Sequence, residues 1–213
     1  RRPTSFRADA TYLITGGLSG LGLLLAEWMI GRGARHLVLL SRRGATAEVE
    51  PRLQAMRANG AEIIAVAADV AEEAQLATVL ADIDRSNHPL AGVFHCAGVL
   101  DDGTLQQLNW DRYRTVFRPK VDGAWNLHSL TRAHKLDHFV LFSSGGALLG
   151  IRGQSNHSAA NAFLDALAHQ RRALGLPGVS LNWGAWAEIG SVVTHNVAGR
   201  MATQGLGLIP PSR

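Results

Sequence analysis

The sequence predicts an α/β fold, a Rossmann-like doubly wound parallel sheet with helices on both faces, as a single domain over residues 1–213. Three observations carry this. Short apolar runs alternate with longer helical stretches, the pattern of right-handed βαβ units. The runs are nearly all apolar, as in Leu37-Val38-Leu39-Leu40 and Phe139-Val140-Leu141-Phe142, which suits strands covered on both faces. Many of the 23 glycines sit where a run meets a helical stretch, where tight turns need them.

Each element follows from local chemistry. Tyr12–Thr15 is a β run ending in a glycine cluster, and Leu21–Arg32 has helical composition up to Gly33. His36–Leu40 is a second strand, closed by the polar turn Ser41–Gly44. Ala47–Asn59 is an amphipathic helix with Gly60 placed to cap it. Glu62–Ala67, Leu90–Cys96, His138–Phe142 and Val179–Trp183 read as strands three to six. Between them lie helices over Glu72–Ser86, Trp110–Leu130 (despite Pro119) and Gln154–Leu174.

Composition narrows the function. A chain that is 46% hydrophobic and 18% charged buries a core and does not stay disordered. The net charge of +4 comes mainly from dispersed arginines, with no aromatic-rich basic ribbon, so nucleic-acid binding is not expected. Cys96 is the one cysteine, which excludes an internal disulfide. The nine histidines show no paired metal-ligand spacing, and no metal site is expected. No run is long enough to span a bilayer and Arg1–Ala10 lacks a signal-like apolar segment, so the expected setting is cytoplasmic, away from membranes.

The most specific motif is Thr15-Gly16-Gly17-Leu18-Ser19-Gly20-Leu21-Gly22, which follows the first strand and opens the first helix. Glycines there let the backbone approach a pyrophosphate at a helix N-terminus. An acid at the end of strand two would hold the ribose 2′-hydroxyl of NAD. Here that place reads Ser41-Arg42-Arg43, two guanidiniums and a hydroxyl suited to a 2′-phosphate. NADPH is therefore the expected cofactor.

The spacing of this turn resembles that of the short-chain dehydrogenases/reductases. By that resemblance Asp69-Val70 contacts the adenine, although Asp69 could equally cap the next helix. His95-Cys96-Ala97-Gly98 resembles the family's N-A-G motif, with Gly98 holding the backbone close to a ribose and Cys96 a buried apolar residue. The helix after strand five carries Asn156-His157-Ser158-Ala159-Ala160-Asn161, with Asn161 at the usual lysine position, while Lys120 stands where the wider family has asparagine. This exchange resembles the ketoreductases of modular polyketide synthases. So do Pro119–Leu127, Gly153-Gln154, Ala159–Asp165 and Asn182-Trp183-Gly184-Ala185-Trp186. The resemblance runs from Thr11 to about Pro211.

It implies NADPH-dependent reduction of a β-ketoacyl chain, carried on the phosphopantetheine arm of an acyl carrier protein, to the β-hydroxyacyl form. Ser144 would bind the ketone oxygen. Lys120 would lower the pKa of the proton donor and orient the cofactor ribose, Asn161 would hold a relay water, and Asn182 and Trp183 would join the cofactor site. Leu100-Asp101-Asp102 matches the L-D-D motif of the B-type group, which gives a 3R alcohol. Leu149 stands where the opposite group has tryptophan, whereas Arg152 departs from the proline common in B-type members.

The main departure is His157, where the family has its proton-donating tyrosine. Imidazole falls short of phenol by roughly 2 Å at its tip. Its reference pKa of about 6.5 would be pushed down by Lys120, leaving a poor donor at neutral pH. The alternative reading is thus a reduction-impaired module serving as scaffold or α-carbon epimerase. The family fold also continues with another helix and a seventh strand, and a structural subdomain precedes the catalytic half. The expectation is an incomplete lid beyond Ile189-Gly190, with that subdomain and other synthase domains as partners.

Overall fold

The computed structural model describes residues 5–187 and 207–210. The expected lid beyond Ile189-Gly190 lies outside the described residues up to 206. Six parallel strands form one sheet, β1 (Thr11–Thr15), β2 (His36–Ser41), β3 (Glu62–Ala67), β4 (Leu90–His95), β5 (His138–Ser144) and β6 (Val179–Trp183). Their spatial order is β3-β2-β1-β4-β5-β6, so the chain reverses its direction of winding between β1 and β4. In such sheets ligands bind at that switch point, outside the carboxyl ends of the strands.

Helices cover both faces because neighbouring strand residues point opposite ways. On one face Ile14, Leu37, Leu39 and Phe94 pack with Leu23, Ala26 and Met29 of α1 (Gly20–Ile30) and Leu53 and Met56 of α2 (Glu50–Ala58). On the other, Leu13, Val38, Val93 and Phe139 meet Leu76 and Leu80 of α3 (Glu73–Asp84), Leu127 of α5 (Gly123–Leu130) and Leu164 of α7 (Ser155–Ala173). Leu37–Leu40 are all buried, as the apolar run demands. Strand β5 is different: Phe139 and Leu141 are buried while Val140 and Phe142 are half-buried.

Three helices depart from their expected bounds for identifiable reasons. The first ends at Ile30 rather than Arg32, because Gly33 at φ 103° lets Ala34 N–H reach back to Met29 C=O at 3.0 Å. The second starts at Glu50 rather than Ala47, because Pro51 lacks an N–H and fits only the first helical turn. Gly60, at φ 80°, closes that helix as expected.

The long helix over 110–130 is not continuous. It runs as α4 (Trp110–Phe117), one π turn (Arg118–Asp122) and α5. Pro119 removes a donor and crowds the carbonyl four residues back, and the wider turn relieves both. A short helix, α6 (Gly146–Leu149), follows β5 where the sequence reads as a loop.

Candidate functional site

The switch point carries a cleft of about 710 Å³. Its walls include Gly16, Ser19 and Gly20 of the glycine-rich turn, Ser41, Arg42 and Arg43 after β2, Asp69 and Val70 after β3, and Ala97 and Gly98 after β4. Leu18 of the turn lines it too, whereas Thr15, Gly17, Leu21 and Gly22 build the turn without lining the cleft. Thr15 is fully buried, its Oγ1 2.7 Å from His95 Nδ1. A side chain at Gly17 would put its Cβ 2.7 Å from Ile14 C=O, and one at Gly22 would sit 2.3 Å from Gly16 C=O. Leu21 is half-buried on the first turn of α1. Gly17 is thus packed against β1 and Gly22 against the turn backbone so closely that only glycine fits at either position, while Gly16, Leu18, Ser19 and Gly20 face the cleft.

Arg42 and Arg43 are exposed on the cleft wall, and no hydrogen bond or ion pair engages either among the described residues. Arg52, a cleft residue that the sequence reading missed, differs, because Glu27 holds it through two 2.7 Å bonds. Thr46 and Val49 also line the cleft from the turn before α2, and nothing in their spacing marks them. Asp69 does not cap α3, whose cap position is Glu72. Its carboxylate accepts from Ala71 N–H at 3.0 Å and pairs with Arg118 at 3.4 Å, tying the end of β3 to the π turn.

The π turn directs Lys120 inward. Lys120 is buried, and its ammonium donates to Phe142 C=O at 2.9 Å. A Cβ at Gly98 would lie 3.0 Å from Lys120 Cε, so Gly98 makes room for the lysine stem as well as for close backbone approach. Burial pushes the ammonium down to about 8, partly opposed by Cys96 and Asp165. Cys96 is half-buried, and burial raises its thiol well out of the thiolate range.

Helix α7 packs on β5 and the π turn and presents His157 and Asn161 one turn apart. Asn161 Nδ2 donates to His157 C=O at 2.8 Å, and Ser143 Oγ donates to Asn161 C=O at 3.2 Å. Ser144 Oγ accepts from Gly146 N–H at 3.1 Å, so the neighbouring serine is spent on α7 while the Ser144 hydroxyl proton stays available. Asn182 donates to Asp165 Oδ2 at 2.9 Å and lies 3.3 Å from Ser144 C=O, and Trp183 sits beside it at the end of β6.

His157 is pushed down to about 4, first by burial, then by Lys120, with Asp102 opposing. The sequence reading gave the lysine as the cause; burial is the larger one. Among the described residues His157 Nδ1, Asn161 Oδ1 and Trp183 Nε1 are buried without a hydrogen-bond partner, atoms that a bound polar group would satisfy.

Leu100-Asp101-Asp102 lies in the loop after β4, half-buried. Asp101 pairs with Arg112 Nε at 2.6 Å, and the Asp102 carboxylate accepts from Gln154 Nε2 at 2.9 Å. Asn156 Nδ2 donates to Asp101 C=O at 2.8 Å. The loop is thus stitched to the residues just before His157. It does not cap the following helix, since Asn109 caps α4 by accepting from Arg112 N–H. Leu149 is exposed on α6.

Comparison with known proteins fits this geometry. A family model described as KR domain matches residues 10–188. The chain is 49% identical over 193 residues to the spectinabilin polyketide synthase system protein NorB of Streptomyces orinoci, covering 89% of this chain and 9% of that protein. It is 49% identical over 193 residues to a mycoketide-CoA synthase of Mycobacterium tuberculosis, covering 90% of this chain and 5% of that protein. The chain therefore spans less than a tenth of the length of these two relatives.

Among solved structures, one of A-type ketoreductases from a modular polyketide synthase superposes with a TM-score of 0.92 at 40% identity, covering 100% of this chain and 45% of that one. The first ketoreductase of the tylosin polyketide synthase gives 0.89 at 39% identity, covering 99% and 46%.

Proposed function

The chain belongs to the KR-domain family, the ketoreductases of polyketide synthases, and on that premise we propose that it reduces a β-ketoacyl chain on an acyl carrier protein with NADPH, inside a cytoplasmic multidomain synthase. The observation that carries this is the cleft at the switch point, with two unengaged arginines on its wall and Lys120, Ser144, His157 and Asn161 gathered at the neighbouring strand ends. NADPH fits these residues: the glycine-packed turn exposes backbone to a pyrophosphate, and Arg42 and Arg43 suit a 2′-phosphate. When bound, it supplies the hydride that the ketone carbon receives.

This chain's own residues handle the charge and the proton. Ser144 has a hydroxyl proton to donate to the ketone oxygen as negative charge grows there. The Lys120 ammonium sits behind Gly98, where its field favours deprotonation of a neighbouring acid. Asn161, anchored through His157 C=O, holds the side-chain carbonyl that would order a water. His157 is the weak point, because an imidazole held near 4 is neutral at pH 7 and donates poorly. That observation favours the second reading, a reduction-impaired module acting as scaffold or epimerase.

Binding of NADPH and NADH to the wild type and to an Arg42→Ala, Arg43→Ala double variant tests the cofactor assignment. Each charge-assisted contact to phosphate should contribute about 1.5–3 kcal/mol, so the wild type prefers NADPH by tenfold or more and the double variant loses the preference. Equal wild-type affinities would overturn the assignment.

The B-type reading rests on the Leu100-Asp101-Asp102 motif alone, and A-type structures superpose well on this chain. The expected product is mainly the 3R alcohol, by chiral chromatography of the reduced thioester. A mainly 3S product would refute the B-type reading.

A further inference from the structure

At the opposite edge of the sheet from the cleft, three strand beginnings bring together residues that the sequence keeps well apart. His36 opens β2 and Glu62 opens β3, and the two are direct partners in the parallel register. His88 lies two residues before β4, where its carbonyl accepts from the Thr11 hydroxyl at 2.9 Å. His36 Nδ1 lies 2.9 Å from Glu62 Oε2, and the His36 and His88 rings stack with centroids 3.4 Å apart and planes 16° from parallel. A recess of about 100 Å³ adjoins all three, with Asp82 in the last turn of α3 and Ser86 just after it also on its wall.

We propose that His36, Glu62 and His88 form a binding site for a divalent transition-metal ion of the zinc class, unrelated to the reductase chemistry. The ligand atoms of the three side chains all lie within 4.8 Å of one another. Tetrahedral coordination at about 2.0–2.2 Å needs ligand atoms roughly 3.3–3.6 Å apart, a closure of at most about 1.5 Å from the 4.8 Å limit. Glu62 is exposed and both histidines are half-buried, so side-chain rotation alone can supply it.

The donor set chooses the class of ion. Two imidazoles and one carboxylate suit zinc, nickel or copper, whereas magnesium and calcium demand oxygen ligands. Three protein ligands leave a coordination position for water or for Asp82 across the recess. An ion there would pin the beginnings of β2 and β3 to the turn before β4. A six-residue strand is about 20 Å long, so the ion would lie far from the cleft and act on stability alone.

The test uses the full chain, stripped of metal, at about pH 7.5 where free imidazole is mostly neutral. Zinc is titrated by calorimetry into the wild type, His88→Ala, Glu62→Gln and, as a control, His169→Ala, whose side chain is exposed on α7. The expected result is one zinc per chain, with magnesium giving no heat. His88→Ala should weaken zinc at least about tenfold, since even outer-sphere changes cost 10–100-fold, and Glu62→Gln should weaken it also. His169→Ala should bind as the wild type does. Zinc should raise the melting temperature of the wild type and not of His88→Ala. The proposal fails if zinc does not bind, or if it binds equally to His88→Ala and Glu62→Gln, which would mark surface adsorption. Both variants lie at exposed or half-buried positions and keep the core intact, so loss of binding would not reflect unfolding.

Discussion

At the scale of single residues, the sequence supports a sharp prediction at His157. Replacing it with tyrosine should raise turnover at pH 7 by at least tenfold, because a positioned general acid is worth about 10²–10⁴ in rate and the proposed roles of Ser144, Lys120 and Asn161 leave only the proton donor wanting. Cofactor affinity should hardly change, since Arg42 and Arg43 line the cleft and residue 157 does not. The pH dependence separates the two proteins. His157 is held down to about 4, so its protonated, donating form gains only as pH falls from 6 towards 4, and wild-type turnover should climb there. The tyrosine variant should instead lose rate above about pH 8, where Lys120 gives up its proton. Equal turnover of the two at pH 7 would show that residue 157 is not the proton donor. The identity of this residue was legible in the sequence, from its place in Asn156–Asn161. Its depth was not, because burial comes from α7 packing on β5 and the π turn, contacts that spacing alone does not record.

At the scale of elements, the central strands β1, β2 and β4 were legible because buried parallel strands leave apolar runs, whereas the edge strands β3 and β6 are only partly buried. Five of the six strands match within a residue. The exception, β5, extends two residues further, to Ser144; polar serines at a strand end read as turn. The π turn was hidden for a different reason. The apolar positions from 110 to 130 keep a helical spacing through Pro119, so periodicity cannot report one widened turn. Yet that turn is what buries Lys120. The glycine-rich turn gives the element-scale prediction. Gly22→Ala places a methyl against backbone at 2.3 Å, which no rotamer can relieve, so it should weaken NADPH binding by about tenfold or more and lower the melting temperature. Gly31→Ala is the contrast, since Gly31 has φ −61° and its nearest neighbour would be 3.5 Å away. It should be neutral or stabilise by about 0.4–1 kcal/mol, through the unfolded chain. If both substitutions behave alike in thermal melts and cofactor titrations, close packing of the turn is not what requires Gly22.

At the scale of the whole molecule, the question is whether the two halves of the sheet unfold together. The two apolar clusters lie on opposite faces, and β1, β2 and β4 feed both. Leu13, Val38 and Val93 belong to the α3–α5–α7 face, and Ile14, Leu39 and Phe94 to the α1–α2 face. The central pairing of β1 with β4 joins the halves through five residue pairs. Among the described residues no boundary with few contacts crosses this arrangement, so damage on one face should be felt on the other. Leu13 and Ile14 make the cleanest comparison, being adjacent, both fully buried and on opposite faces. Each replaced by alanine should cost about 2–5 kcal/mol. Hydrogen exchange measured peptide by peptide in mild denaturant should then show both variants losing protection equally in α1–α2 and in α3–α7, with a single urea transition throughout. If Leu13→Ala loosens α3–α7 while α1–α2 keeps wild-type protection, the faces are independent folding units and the shared strands do not couple them.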